Sequence, residues 1–450
     1  MTFLFTPSPI HPLSFLDRTL APPVQPLAAV ALPPTQVQTL ASGARLHVLT
    51  NDTQPVARLQ VIFRAGKWQE PQPGLAALTA RMLLEGTATR SARQIADEVA
   101  YYGASLECEA GPDRATLTLY CLSRHLPTLL PLVLEVLTQP RFPAAELAQQ
   151  QTRTIQSVQV ERQKTSYLAS ERFAELQFGP RHPYGQPFDA EAFGALTAAQ
   201  AQTFHQAAYQ LGRAEIFLCG DVAAQQTLVA TAFDAAAAPG SPAEVAAETT
   251  AAPSSRDAPL PLGLGAQAVR VPLPGSLQAS LRVGRAWPGP NHTDTHRLQL
   301  LVKVLGGYFG SRLMKNIRED KGLTYGIYAQ SLAREHGSTL VIGTDVNGES
   351  ADMAIREINL ELRRLQEELI SAQELDTVKS YMLGKFANEL STVFEQADKY
   401  RTTVLLGLPV DYYTQFVAQI QATDAATLQE LAREYLTPEA MQIVVAGPAA

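Results

Sequence analysis

Two histidines four residues apart, His292 and His296 in NHTDTH, have the spacing of metal ligands on a helix. Imidazoles at i and i+4 sit one turn apart and can share a zinc ion. The nearest carboxylate, Asp294, lies midway between them, where on a helix it faces away from a metal held by both. The surrounding PGPNHTDTHRLQLL reads as a turn, a cap and a helix start, so a zinc site here is kept only as a third alternative. The other six histidines, His11, His47, His125, His182, His205 and His336, show no ligand spacing and read as structural or exposed.

Other chemistry is equally sparse. Cys108, Cys121 and Cys219 form no CxxC pair, and each sits in an apolar strand-like run, which reads as a buried reduced thiol. There is no GxSxG nucleophile elbow, and LGGYFGSRL lacks the GK[ST] of a phosphate loop. Its glycines Gly306, Gly307 and Gly310 are expected to allow tight helix packing and a flexible substrate-facing loop. Residues 73–87, PGLAALTARMLLEGT, form a helix whose Leu75, Leu78 and Met82 make a core stripe, with Ala77 and Arg81 on a different face.

The elements that must position these residues repeat. LTAAQAQTFHQAAYQLGRAEIFLCGD (196–221) parallels ATDAATLQELAREYLTPEAMQIVVAGP (422–448): a Thr-capped helix, a Tyr near its end, a turn, a strand and a Gly. Tyr209 matches Tyr435, Gly220 matches Gly447, and Glu146 matches Glu374, in order and at nearly one offset. In each half, strands mix with long helices. RLHVLT and VARLQVIFRAG alternate like paired strands, as do ASLECEA and RATLTLYCL. TRSARQIADEVAYYG, AAELAQQQTRTIQSVQVERQ and MAIREINLELRRLQEELI read as helices, the last amphipathic.

The expected fold class is therefore α+β, with two homologous halves, each an antiparallel-rich mixed sheet with helices packed on one side. The expected division is an N-terminal extension 1–38, a first domain 39–233, an Ala/Pro/Ser-rich linker 234–261, and a second domain 262–450. Apolar residues at 46%, charged residues at 18% and a formal charge of -7 describe a globular chain without the basic stripe of a nucleic-acid binder. No apolar run is long enough for a membrane span, and the start has no basic n-region, so a soluble, cytoplasmic protein is expected.

Three ordered stretches resemble signatures of the pitrilysin/insulinase peptidases, whose smaller members include mitochondrial processing peptidase. They are LASGARLHVLTNDTQPVARLQVIFRAGKWQEPQPGLAALTARMLLEGT, RHPYGQP (181–187) and LGGYFGSRLMKNIREDKGLTYGIYA (305–329), and the resemblance covers nearly the whole chain from about Leu40. It implies a processing-peptidase-like metallohydrolase fold. Active members carry H-x-x-E-H on the first-half helix, two His for zinc and a Glu that activates water. The matching positions here are Ala77 and Arg81 for the His pair and Ala80 for the base. The family's third ligand, a Glu on a later helix, falls at Ser157, with Glu161 nearby. No metal ligand is assigned to this chain.

The second half of such proteins adds an Arg and a Tyr that reach the scissile peptide, and that pair resembles Arg318 and Tyr325 in REDKGLTY. A helix through SRLMKNIRED stopping at Gly322 and a strand LTYGIYA would put Tyr325 on a strand face beside Leu323 and Ile327. Spacing alone favours a surface ion pair of Arg318 with a carboxylate such as Glu319 or Asp320 and a half-buried strand aromatic at Tyr325, and it is the resemblance that favours the functional pair. The resemblance implies a non-catalytic subunit of a heterodimeric zinc peptidase, not a peptidase alone. It would help enclose unfolded peptides and supply Arg318 and Tyr325 in trans to a homologous subunit carrying H-x-x-E-H. No cofactor is then expected in this chain, zinc belongs to the partner subunit, and neither nucleic acid nor membrane is involved. The alternative is a catalytically inactive peptide-binding or structural homologue without a peptidase partner.

Overall fold

The computed structural model describes Thr19 and residues 32–237 and 267–448. The first half runs β1 (Gln36–Thr39), β2 (Arg45–Thr50), β3 (Val56–Phe63), α1 (Leu75–Met82), α2 (Ala92–Tyr101), β4 (Ser105–Ala110), β5 (Ala115–Leu122), α3 (Leu126–Thr138), α4 (Ala144–Glu161), α5 (Thr165–Phe178), α6 (Ala190–Gly194), α7 (Ala198–Ala208), β6 (Glu215–Gly220) and α8 (Gln226–Ala236). The second runs β7 (Ala268–Pro272), β8 (Gln278–Trp287), α9 (Thr295–Gly306), a π-helical stretch Met314–Asp320, β9 (Ile327–Leu332), β10 (Ser338–Asn347), α10 (Ala351–Glu367), α11 (Ala372–Asn388), α12 (Val393–Leu405), α13 (Tyr412–Ala422), α14 (Ala425–Tyr435) and β11 (Gln442–Gly447).

Local sequence explains most of these limits. Ser91, Thr197 and Thr392 each open a helix with a capping box, closed by Gln94, Gln200 and Glu395 respectively. The repeat expected a threonine cap on both α7 and α14, but on α14 Asp424 accepts from the Thr427 N–H instead. In β5, Ala115, Leu117, Leu119 and Cys121 are buried and alternate with half-buried neighbours, as the strand period of two demands.

The sheets are two copies of one plan: β1-β2-β6-β3-β5-β4 and β7-β11-β8-β10-β9. β2 runs parallel to β6 and β7 parallel to β11, while the remaining pairs are antiparallel. Strand for strand, β6 answers β11, β3 answers β8, β5 answers β10, and the edge strands β4 and β9 answer each other. The expected pairing of RLHVLT with VARLQVIFRAG is not formed, because β6 enters between β2 and β3. A strand 165 or more residues downstream leaves no mark on the local pattern that could announce it.

Each half keeps a core between its sheet and its own helices. The opposite sheet face is covered by a helix from the other half, which a reading of helices on one side did not foresee. Ala169 and Phe173 of α5 pack on Val341 and Val444 of the second sheet, and Ala397 of α12 packs on Leu49 and Cys219 of the first. Polar contacts line both seams: Gln177 donates to the Gly284 carbonyl at 3.1 Å, and the buried His47 ring meets Tyr400 at 2.8 Å and Glu215 at 2.9 Å.

Two expected boundaries move. β1 already pairs with β2 from Gln36, inside the expected extension 1–38. The turn Asp234–Ala236, assigned to the linker, ends α8, and the Asp234 carboxylate accepts from the Ser42 N–H at 2.8 Å. Linker residues 238–261 and His11 lie outside the described residues. Among the described residues no helix is long and apolar enough to cross a membrane.

Candidate functional site

The chain enters α1 through Gly74 at φ +85°, a left-handed conformation that costs glycine little, and the Phe193 ring occupies the space a Cβ would need. No side chain caps the helix at Gly74, so Glu70 folds back and its Oε2 accepts from the Ala76 N–H at 2.9 Å. Burial pushes the Glu70 carboxyl above its ordinary range, against the pull of this hydrogen bond.

The core stripe is as expected: Leu75, Leu78 and Met82 are buried. Ala80 joins them at 0% exposure, while Ala77 is half-buried and Arg81 exposed. The Arg81 Nη1 donates to Thr154 Oγ1 on α4 at 2.7 Å. Thr154, not Ser157, therefore faces Arg81 from the later helix, and Ser157 is exposed. Glu161 is taken up locally by Lys164 at 2.6 Å. The fold family implies zinc at this station, but its side chains are two methyl groups, a guanidinium and hydroxyls. None of these is a thiolate, imidazole or carboxylate, and a cation beside Arg81 would be repelled. These residues do not fit a zinc ion.

At the other corner, the π-helical stretch Met314–Asp320 ends before Gly322, at φ +63°. Such stretches occur often at functional sites. The Arg318 guanidinium lies over the Phe309 ring, 4.5 Å from its centroid, and Phe309 is itself 64% exposed. Tyr325 is 96% exposed, so it is not a half-buried aromatic. It does not lie on a strand face either, because β9 begins only at Ile327. Thr324 Oγ1 accepts from the Gly326 N–H at 3.1 Å and donates to the Asp345 carbonyl at 2.7 Å, which holds the segment in a bend. Gly306 is not substrate-facing: it is the buried last residue of α9, where a Cβ would stand 2.6 Å from the Ala329 nitrogen. Gly307 and Gly310 are half-buried beside Lys303 and Tyr308. The exposed residue of that loop is Phe309, which the glycine pattern did not single out.

RHPYGQP joins the halves. Tyr184 donates to the Asp113 carboxylate and accepts from the His336 N–H at 3.2 Å. Asp113 also accepts from the Glu335 N–H at 3.3 Å, and Arg114 pairs with Glu335 at 2.9 Å. Trp68 stacks on His336 at 3.9 Å. Burial first, then the Asp113 carboxylate, pushes the Tyr184 hydroxyl well above its usual range. Asp113, Glu335 and His336 carry no local motif, so sequence reasoning could not place them together.

The histidine pair is no metal site. α9 begins at Thr295, leaving His292 in the preceding turn, where its Nδ1 accepts from the Asp294 N–H at 3.2 Å. His296 is buried edge-on to Tyr412 at 4.5 Å and near Phe416. That burial lowers its pKa to about 4. Cys108, Cys121 and Cys219 are buried free thiols, and burial raises Cys121 to about 11.

Residues 46–178 match the family description "Insulinase (Peptidase family M16)", and residues 195–382 match "Peptidase M16 inactive domain". A non-peptidase homolog YmxG of Helicobacter pylori is 24% identical over 82% of this chain and 84% of its own length. An uncharacterized zinc protease YmxG of Bacillus subtilis is 21% identical over 89% of this chain and 95% of its own. Among solved structures, a peptidase M16 inactive domain from Pseudomonas fluorescens has 27% identity and a TM-score of 0.81, covering 92% of this chain and 98% of that one. A protease from Helicobacter pylori shares the fold at a TM-score of 0.82 and 19% identity, over 93% and 100% of the two chains. With both halves matched and the two-sheet plan in common, the chain belongs to the M16 (insulinase) peptidase family.

Proposed function

We propose that this chain is the non-catalytic subunit of a two-chain zinc peptidase. It encloses unfolded peptides and presents Arg318 and Tyr325 to the zinc site of a homologous partner that carries H-x-x-E-H. The observation that carries the reading is the contrast between the two corners. The motif positions of α1 hold alanine and a tethered Arg81, while Tyr325 stands 96% exposed and Arg318 rests on an exposed Phe309. A cation and a hydroxyl brought to a developing oxyanion are the donors that stabilise it. The open edge strand β4, packed beside α1, supports capture of substrate as an added strand. The three buried free thiols support a reducing compartment, the cytoplasm.

The test is co-purification with a homologous H-x-x-E-H subunit, followed by hydrolysis of a quenched fluorescent peptide by the pair. Arg318→Ala and Tyr325→Phe are expected to lower kcat by about 10²-fold each while the pair still assembles. Unchanged kcat in both variants would sink the reading. The second reading is a catalytically inactive peptide-binding or structural homologue without a peptidase partner, and the Helicobacter pylori relative, named a non-peptidase homolog, is in keeping with its inactivity. Recovery of this chain alone, with no homologous subunit, selects it.

A further inference from the structure

The second half holds a twin of the emptied motif station, and there the matching side chains open on a cleft. α9 follows β8 as α1 follows β3. Between Ala76–Leu83 and Leu298–Leu305 the buried and half-buried positions coincide, except that Lys303 is half-buried where Arg81 is exposed. Gln299 thus stands for Ala77, Val302 for Ala80 and Lys303 for Arg81. On the later helix, Glu374 of α11 answers Glu146 of α4, which carries Lys385 onto the place of Ser157.

Gln299, Val302, Lys303 and Lys385 all line one cleft of 380 Å³, and neither Arg318 nor Tyr325 does. The cleft lies where Trp287 at the end of β8 and Ser338 at the start of β10 meet α9, α11, α12 and α13. Much of its lining is apolar and aromatic: the Phe386 ring, 5.0 Å from Phe416 and 5.4 Å from Tyr413, is joined by Val302 and Met382. A concave, mostly apolar site of this size with a few polar groups is the usual form of a small-molecule pocket. Its charged groups are Lys303, Lys385, Lys399 and Glu389, so ammonium groups outnumber carboxylates. Glu389 is shared by Lys399 at 2.6 Å and Lys385 at 3.7 Å. The Lys303 ammonium donates to the Gly307 carbonyl at 3.1 Å, a neutral partner. Among the described residues its charge has no counter-ion, and two of its three N–H groups have no acceptor. Ser338 is 4% exposed, and its hydroxyl has no hydrogen-bond partner among the described residues. Burial, and then the neighbouring Lys385, pull the Lys303 pKa below its ordinary value, while Glu389 opposes them.

We propose that this cleft binds a small carboxylic acid with an apolar ring body, an aryl alkanoate. Its carboxylate accepts from Lys303, and its ring lies among Phe386, Tyr413 and Phe416. The unpaired ammonium and the unmade hydrogen bonds of Lys303 call for an anion that only accepts, which a carboxylate is and an amine is not. The aromatic lining calls for a flat apolar body, whose burial a bare anion such as phosphate could not supply. Trp287 and Ser338 belong to inner strands whose edges are already paired, so at this wall the cleft offers side chains and no free ladder. The assignment concerns this chain alone and does not depend on a peptidase partner.

The test is isothermal titration calorimetry of the full chain with phenylacetate, phenylpropionate and phenylbutyrate. Affinity is expected to rise roughly threefold with each methylene, as burial of apolar surface requires. Phenylbutyramide, the neutral twin of the longest acid, is expected to bind at least about tenfold more weakly than phenylbutyrate, as loss of charge-assisted hydrogen bonds demands. Lys303→Gln should bring phenylbutyrate down to the affinity of that amide. Thermal melting checks that Lys303→Gln folds; if it does not, the acid and amide twins on the unaltered chain decide the matter without a substitution. Absence of binding by the three acids, equal affinity of phenylbutyrate and its amide, or unchanged affinity in a folded Lys303→Gln overturns the proposal. So does an affinity that is flat along the series and abolished by an equal concentration of inorganic phosphate, which would make the cleft a site for charge alone.

Discussion

Helices α1 and α9 hold the same station in their halves, yet one is emptied of ligands and the other opens on a cleft. On α1 the position next to the buried stripe is Arg81, which reaches across to Thr154. On α9 the corresponding Lys303 faces a cleft of 380 Å³ and donates to the Gly307 carbonyl, with no carboxylate paired to it among the described residues. Both keep the same inward stripe of buried residues, Leu78 and Met82 on one and Leu300 and Val304 on the other. Ala80 is buried with the stripe, but Ala77 and Arg81 lie on a different face of the helix, so these two can change while the stripe is kept.

Ala80→Glu is the strongest way to break this contrast. The position is 0% exposed and next to core residues, so a carboxylate there would be desolvated without a partner. A loss of about 4 kcal/mol is expected in urea unfolding, of the order seen for an uncompensated buried charge. If the variant is as stable as the parent, α1 has room beneath it and its site is not closed. Phe173→Ala comes next. It removes the aromatic that α5 lends to the second sheet, with an expected cost of about 3 kcal/mol by chemical denaturation. A cost below about 1 kcal/mol would mean that the exchanged helices do not hold the halves together.

The reach of sequence reasoning follows from the range of the signals. The stripe Leu75, Leu78 and Met82, the alternation in β5 and the caps at Ser91 and Thr197 are written within a few residues of where they act. The duplication was legible because Tyr209 and Tyr435, and Gly220 and Gly447, end matching elements. Insertion of β6 between β2 and β3, the exchange of α5 and α12, and the assembly of Asp113, Tyr184 and His336 all join segments far apart in the chain. No local period encodes such contacts. LTYGIYA reads as a strand with Tyr325 on one face, but the Thr324 hydrogen bonds outweigh that pattern and hold the tyrosine out of the strand.

A pH experiment sharpens the contrast at the start of α9, where His296 is buried against Tyr412 and Phe416. Its folded pKa of about 4 lies below the unfolded value of roughly 6.5. Above the unfolded value both states are neutral and nothing is lost. As the pH falls below it, the unfolded chain takes up a proton that the folded chain refuses, so stability drops until the folded pKa is reached. His296→Phe should therefore reduce the difference in unfolding free energy between pH 7 and pH 4.5 by about 2 kcal/mol. An undiminished difference would place the acid sensitivity elsewhere, among the carboxylates of the seam such as Glu215, whose pKa hydrogen bonds from His47 and Arg45 lower in spite of burial.

The smallest expected effect is the most discriminating for the first site. Arg81 is exposed and makes one hydrogen bond, to Thr154, across a gap bordered by Ala77. An exposed interaction of this kind should contribute little, so Arg81→Ala is expected to change unfolding free energy by no more than about 0.5 kcal/mol. A loss of about 1.5 kcal/mol or more would show that the guanidinium clamps α1 to α4, and that the station is closed by a cation and not merely left without ligands. The two cases differ in what else they permit. A clamped helix would lose that stability again when Thr154→Val removes the acceptor, whereas a helix resting on its apolar stripe would be indifferent to both changes.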